Sequence, residues 1–183
     1  MMSESAGMLT AGTLLVASPL LADPNFYRTV VFILQHDFDG AVGVVLNRPS
    51  GEPVESHLPE WARRLEDPPV IFVGGPVDRA IAIGLVRSDR PSEPTSLVGI
   101  GMVDLAGDPA AGSPGPVRVF SGYAGWGPGQ AEAEMAEGAW LVVDAIAEDV
   151  FTQAPEDLWS TVLRRQGGKL AMLATFPVDP SMN

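Results

Sequence analysis

The chain carries two histidines, His36 and His57, and no cysteine, so covalent catalysis would need a Ser, Thr or Lys activated beside one of those imidazoles. Neither histidine stands in a recognisable catalytic context. Ser121 lies between Val119-Phe120 and Gly122-Tyr123, which is not the Gly-x-Ser-x-Gly turn of a nucleophile elbow. No catalytic residue is assigned. The missing thiols also exclude disulfides, thiolate zinc sites, iron–sulfur clusters and thiol redox sensing. His36 with Asp37 and Asp39 imitates part of a metal site, but His36-Asp37-Phe38-Asp39-Gly40 ends in Asp-Gly, and such residues favour turns for backbone reasons. The turn is the reading adopted, with no metal and no cofactor.

Two further segments suit binding chemistry. The run from Gly122 to Gln130, rich in glycine and containing Tyr123, Trp126 and Gly129, enters a helical pattern and can present bare N–H groups to an anion. It lacks the Gly-Lys-Ser/Thr of a phosphate loop, Pro128 removes a donor, and Glu132 and Glu134 already meet the helix dipole. A structural turn packing Trp126 is the simpler reading, as is a turn at Gly74-Gly75-Pro76. Asn47-Arg48-Pro49 places an amide and a guanidinium before a rigid turn, which suits the mouth of a pocket. The competing reading is an arginine paired with a carboxylate to hold the loop, and Arg28-Thr29 admits the same two readings.

The elements that must position these residues follow from periodicity. Thr13 to Ala17, Tyr27 to Gln35 and Ala41 to Leu46 read as buried strands, the last two forming a hairpin with a five-residue loop. Val54, Leu58, Trp61 and Leu65 fall at helical spacing, so a helix is predicted over 54–65, shortened or kinked at Pro59. Strands are predicted over 70–73, 80–86, 97–105, 117–123 and 139–144, and helices from Gly125 to about Glu137 and from Pro155 to Gly167. The loop from Gly107 to Pro116 is expected to be the most mobile segment. Strands outnumber helices without alternating with them, so the fold class is α+β: a mixed, largely antiparallel curved sheet with helices packed on it.

Composition sets the outer bounds. With 183 residues, 46% hydrophobic against 19% charged, the chain suits one domain with a real core. The net charge of −12 opposes phosphate backbones, and its basic residues are arginines scattered along the chain plus Lys169, so nucleic acid is not an expected partner. Between Val119 and Leu163 there are acidic residues and no basic one, which predicts a strongly acidic surface: a solvated face or a docking surface for a basic partner. Leu9 to Leu21 is apolar but follows no basic segment and is broken by Ser18-Pro19, so it reads as strand rather than signal peptide. No run is long enough for a membrane span, and a cytoplasmic location is expected.

Seven segments in order and register, Gly12 to Pro19, Asp23 to Val30, His36 to Gly40, Gly43 to Pro49, Gly74 to Val77, Gly122 to Gln130 and Asp179 to Asn183, resemble the YqgE/AlgH family of bacterial proteins. The resemblance runs from about Gly12 to the C-terminus and implies a single domain over 12–183, preceded by a disordered tail over 1–11. It implies a bent, barrel-like sheet flanked by helices. Some family members bear the label of transcriptional regulator through alginate production; the charge and the lack of a basic helix argue against direct DNA binding here. Among the motif residues, Phe26, Gly75, Pro76, Tyr123, Trp126 and Gly129 read as structural. Arg28, His36, Asn47, Arg48 and Gln130 are the expected ligand or partner contacts. The leading expectation is a non-enzymatic interaction or regulatory protein with an unidentified protein partner. The alternative is a small-molecule binder or weak hydrolase with its pocket between the Asn47-Arg48 turn and the Tyr123–Gln130 loop, and the third is a transcriptional regulator.

Overall fold

Continuous apolar runs such as Leu14-Leu15-Val16-Ala17 and Val30-Val31-Phe32-Ile33 fit strands covered on both faces, and both runs are fully buried. The computed structural model of the protein describes residues 7–178. Strands β1 (Thr13–Ala17), β2 (Val30–Asp37) and β3 (Gly40–Val45) form an antiparallel meander. Alternate side chains go to opposite faces. Leu14, Val16, Phe32 and Val44 join the larger core, while Leu15, Ala17, Val31 and Val45 join a second one.

The remaining strands are β4 (Pro49–Pro53), β5 (Val70–Val73), β6 (Val77–Arg87), β7 (Glu93–Pro94), β8 (Ile100–Val103), β9 (Val117–Trp126) and β10 (Trp140–Asp144). Their order is β10-β1-β2-β3-β9-β6-β8-β7, with β4 joined through β5. Long β9 is the spine. Its end pairs with β3 through Ala41 and Trp126, its middle pairs parallel to β5 through Phe72 and Phe120, and its other edge pairs antiparallel with β6. The β5–β9 pair supplies the parallel element of a mixed, largely antiparallel sheet, which curls into a half-barrel of one α+β domain, as expected. A register shift between Val77 and Ala82 pushes residues 78–81 out of the β6–β9 ladder.

Helices α1 (Gln130–Ala136), α2 (Ala147–Val150), α3 (Leu158–Gln166) and α4 (Gly168–Leu173) complete the fold. Leu158, Trp159, Val162 and Leu163 of α3 close the larger core at helical spacing. Pro155 opens a 3₁₀ turn over Pro155–Asp157 ahead of α3, and Gly167 ends it. The second core is capped by Trp126, Ala131 and Trp140, with Phe26 packed against it.

Several boundaries differ from expectation. The helix predicted over 54–65 is two 3₁₀ turns, Val54–Ser56 and Pro59–Arg64, because Pro59 cannot donate the bond that would join them. The hairpin turn is two residues, Phe38-Asp39, since Asp37 and Gly40 pair directly. Strand β2 starts at Val30 rather than Tyr27, because Arg28 adopts φ +53°, a left-handed conformation no strand tolerates. The predicted 97–105 strand shrinks to Ile100–Val103, while α2 and α4 were not anticipated. The expected mobile loop is tethered: the Arg64 guanidinium donates to the carbonyls of Pro109 (2.7 Å), Ser113 (2.6 Å) and Gly115 (2.8 Å). Of the expected tail, residues 1–6 lie outside the described residues, and so does the Asp179–Asn183 motif. Leu9 is 4% exposed and packs in the second core.

Candidate functional site

Asn47 follows the end of β3, where the ladder with β2 runs out, and its side chain continues the pairing. Its Oδ1 accepts from the Val30 N–H (3.0 Å) and its Nδ2 donates to the Arg28 carbonyl (2.9 Å). That clasp fixes the turn in which Arg28 is left-handed. The Arg28 guanidinium stacks 4.0 Å from the Trp159 ring and donates to the Phe176 carbonyl at 3.1 Å. Tyr27 adds a bond from its hydroxyl to the Val178 carbonyl. Arg48 donates to the Tyr27 carbonyl at 2.5 Å. The carboxylate partners contemplated for Arg28 and Arg48 are therefore replaced by carbonyls and an indole face.

Arg48 stands between two clefts. One, of about 260 Å³, lies toward Arg28, Asn47, Glu156 and Trp159. The other, of about 460 Å³, lies toward Asn25, Pro49, Gly75, Pro76 and Arg79. Arg48 thus lines both clefts, whose far walls come from α3 and from the β5–β6 connection. The Tyr123–Gln130 loop, expected to form the opposite wall, lines neither.

The other two expected contacts, His36 and Gln130, lie on the face of the second core. His36 Nε2 is 2.5 Å from Glu132 Oε1. The Glu132 carboxyl is held below its usual range, first by its own backbone N–H near the start of α1 and then by His36. Gln130 accepts from the Gly127 N–H (3.0 Å) and donates to Glu134 (3.2 Å). Glu134 in turn accepts from the indoles of Trp126 (2.8 Å) and Trp140 (3.0 Å). Phe26 packs edge-on to Trp140, and the turn from Gly127 to Gly129 between β9 and α1 spends its Gly127 donor internally, while Gly122 to Trp126 belong to β9 itself. His57 reaches Glu52 at 3.5 Å, and among the described residues neither histidine bonds a hydroxyl. Among the described residues no three His, Asp or Glu side chains gather into a group that could hold a metal.

Beside His36 the β2–β3 turn presents Phe38, which is 100% exposed. Asp37 builds that turn: its carboxylate accepts from the Gln35 amide (3.0 Å) and the Asp39 N–H (2.8 Å), which hold it below the usual carboxylate range. The Asp39 carboxylate has no partner among the described residues.

Three arginines matter that sequence reasoning did not single out. Arg64 ties down the 107–116 loop, and Arg79 rims the larger cleft. Arg118 is 2% exposed and donates to the carbonyls of Val150 (3.1 Å), Thr152 (2.7 Å) and Asp67 (2.6 Å), with Phe72 4.6 Å from its guanidinium carbon. Burial pushes its pKa down to about 10, against the raising influence of Glu66 and Asp67. An arginine inside a strand that otherwise reads Val-x-Val-Phe was the available signal: inward burial needs several acceptors waiting for it.

A family model described as AlgH-like matches residues 14–171. A UPF0301 protein of Streptomyces coelicolor is 50% identical over 182 residues, covering 94% of each chain, and one of Thermobifida fusca is 47% identical over 187 residues with the same coverage. The crystal structure of a Corynebacterium diphtheriae protein matches with a TM-score of 0.85 at 29% identity, covering 93% of this chain and 94% of that one. The solution structure of the AlgH protein from Pseudomonas aeruginosa matches with a TM-score of 0.67 at 31% identity, covering 96% and 98%. Sequence motifs, family match and fold agree, and the chain belongs to the YqgE/AlgH family.

Proposed function

We propose that this protein is a non-enzymatic interaction protein that docks a protein partner through the tip of the β2–β3 hairpin. The observation that carries this reading is Phe38, wholly exposed on a two-residue turn that Asp37 holds in shape. Burying such a ring in a partner's pocket is worth about 1.5–3 kcal/mol, and aromatic anchors of this kind commonly dominate interfaces. The turn is already ordered, so little entropy is lost on docking. Asp37 and Asp39 flank the ring, and Glu132 lies against His36 at the hairpin's flank. The matching partner surface is an apolar pocket rimmed by Lys or Arg. A regulatory role acts through such contacts; direct duplex binding is disfavoured by the charge of −12. We place this role in the cytoplasm. No helix among the described residues is long and apolar enough to cross a membrane.

A photo-crosslinking residue at position 38 tests the reading in cells, followed by capture with purified protein and Phe38→Ala. The expected result is one crosslinked partner whose capture is lost with Phe38→Ala and weakened by salt, while the thermal midpoint is unchanged because Phe38 packs against nothing. Equal capture by both proteins refutes the hairpin as the docking element.

A further inference from the structure

The 460 Å³ cleft beside Arg48 differs in charge from the molecule that contains it. The chain has 23 acidic and 11 basic residues, yet Arg48 and Arg79 both line this cleft and no Asp or Glu does. Arg48 spends one N–H on the Tyr27 carbonyl, and the Arg79 guanidinium has no partner among the described residues. Two guanidiniums facing one space without a counter-charge are suited to an oxyanion, which both can grip through N–H pairs.

The walls are built rather than accidental. The Val73 N–H donates to the Arg48 carbonyl and the Val45 N–H to the Gly74 carbonyl, both at 2.8 Å, which fixes β5 against the end of β3. The connection into β6 then lies directly on β9. A Cβ on Gly75 would stand 2.1 Å from the Tyr123 carbonyl carbon, and one on Gly122, where φ is +72°, would stand 2.7 Å from the Gly75 oxygen. Only glycine at these two positions permits that approach. Past it, the displaced segment 78–81 carries Arg79, whose carbonyl accepts from the Ser121 hydroxyl at 2.5 Å. The backbone of Arg79 is pinned while its charge is free, and Asn25 and Pro24 close the opposite side. The volume falls within the range of about 300–1,000 Å³ typical of small-molecule sites.

We infer that this cleft binds a small multivalent oxyanion, a phosphorylated or polycarboxylate metabolite, held between the guanidiniums of Arg48 and Arg79. The inference is independent of hairpin docking, which lies on other residues. The two ligand sources share the oxyanion, and separate probes distinguish them: pyrophosphate for phosphoryl compounds and citrate for polycarboxylates. Each is titrated by calorimetry into the full chain, into Arg79→Gln and into Arg48→Gln/Arg79→Gln, with sodium chloride matched for ionic strength. One probe is expected to bind with 1:1 stoichiometry, to weaken at least about tenfold with Arg79→Gln, and to be lost in the double variant. Arg79→Gln breaks no hydrogen bond or ion pair among the described residues, so its fold is expected to be retained and its thermal midpoint serves as the control. Backbone amide shifts on titration should centre on Arg48, Gly75 and Arg79. Absence of binding by either probe overturns the inference. So does binding that both variants preserve, an equal response to sodium chloride, or amide shifts centred on Gly127 to Ala131.

Discussion

Arg118 permits a quantitative test of how the two halves of the fold are joined. Replacing it with Met keeps most of the buried volume but leaves the carbonyls of Val150, Thr152 and Asp67 without this donor. Each lost charge-assisted bond is worth about 1.5–3 kcal/mol, and the contact with the Phe72 face about 1 kcal/mol. Against this, removing a buried charge relieves a desolvation cost of about 1–4 kcal/mol, the same cost that lowers its pKa. The net destabilisation is about 5 kcal/mol, which for a chain of this size lowers Tm by about 10–20 °C. Lysine supplies the sharper comparison. A single ammonium cannot span Asp67 on one side and Val150 with Thr152 on the other, so Arg118→Lys keeps the desolvation cost with fewer bonds. It should be at least as destabilised as Arg118→Met. Urea titration and thermal melting by circular dichroism measure both. A lysine variant within about 1 °C of the parent would refute the argument that fork geometry is what this position requires.

Arg64→Ala should leave the overall fold in place while amide exchange and proteolysis accelerate within 107–116, because one guanidinium supplies the bonds to Pro109, Ser113 and Gly115; unchanged protection of that segment would count against the tether. Glu132→Gln tests the contact between the hairpin and α1 through pH. The Glu132 carboxyl is held below 4.5 when folded, so the unfolded chain binds more protons as the medium acidifies, and the stabilisation present above pH 4.5 is lost as pH falls through the folded value. The parent should therefore exceed Glu132→Gln in stability above pH 4.5, with the gap closing below it; a gap constant between about pH 3 and 7 would show that ionisation of Glu132 is not its source.

Much of the fold was legible because its signals are local. The runs at Thr13–Ala17 and Val70–Val73 are apolar without alternation, and strands of these bounds form where the sheet is covered or crossed by its neighbours. Pro155, the acidic pair behind it, Arg164-Arg165 and Gly167 marked α3 by its own ends. The apolar positions from Val54 to Leu65 keep helical spacing, yet Pro59, expected only to shorten or kink the helix, splits it into two 3₁₀ turns. Of the glycine-rich run, Gly122 to Trp126 belongs to strand β9, and only the three residues from Gly127 to Gly129 form a turn, which Gln130 holds from the start of α1.

The site was legible only in pieces. Type and turn chemistry marked Arg28, Asn47 and Arg48, but also His36 and Gln130, which resemble them in polarity and lie against α1 and the second core instead. Arg79 carried no local signal at all. Its place at the cleft depends on a five-for-two register shift between β6 and β9 and on two glycines letting backbones meet, and neither property belongs to the arginine's own neighbourhood. The sequence by itself determined most of the strands, though not β4 or β7, together with the hairpin, the acidic charge and the family, because hydrophobic period and turn residues act over a few positions. Only the tertiary structure decided which arginines are spent on carbonyls and which line the cleft, because a long side chain finds its acceptors among backbone groups far along the chain, as Arg28 does at Phe176.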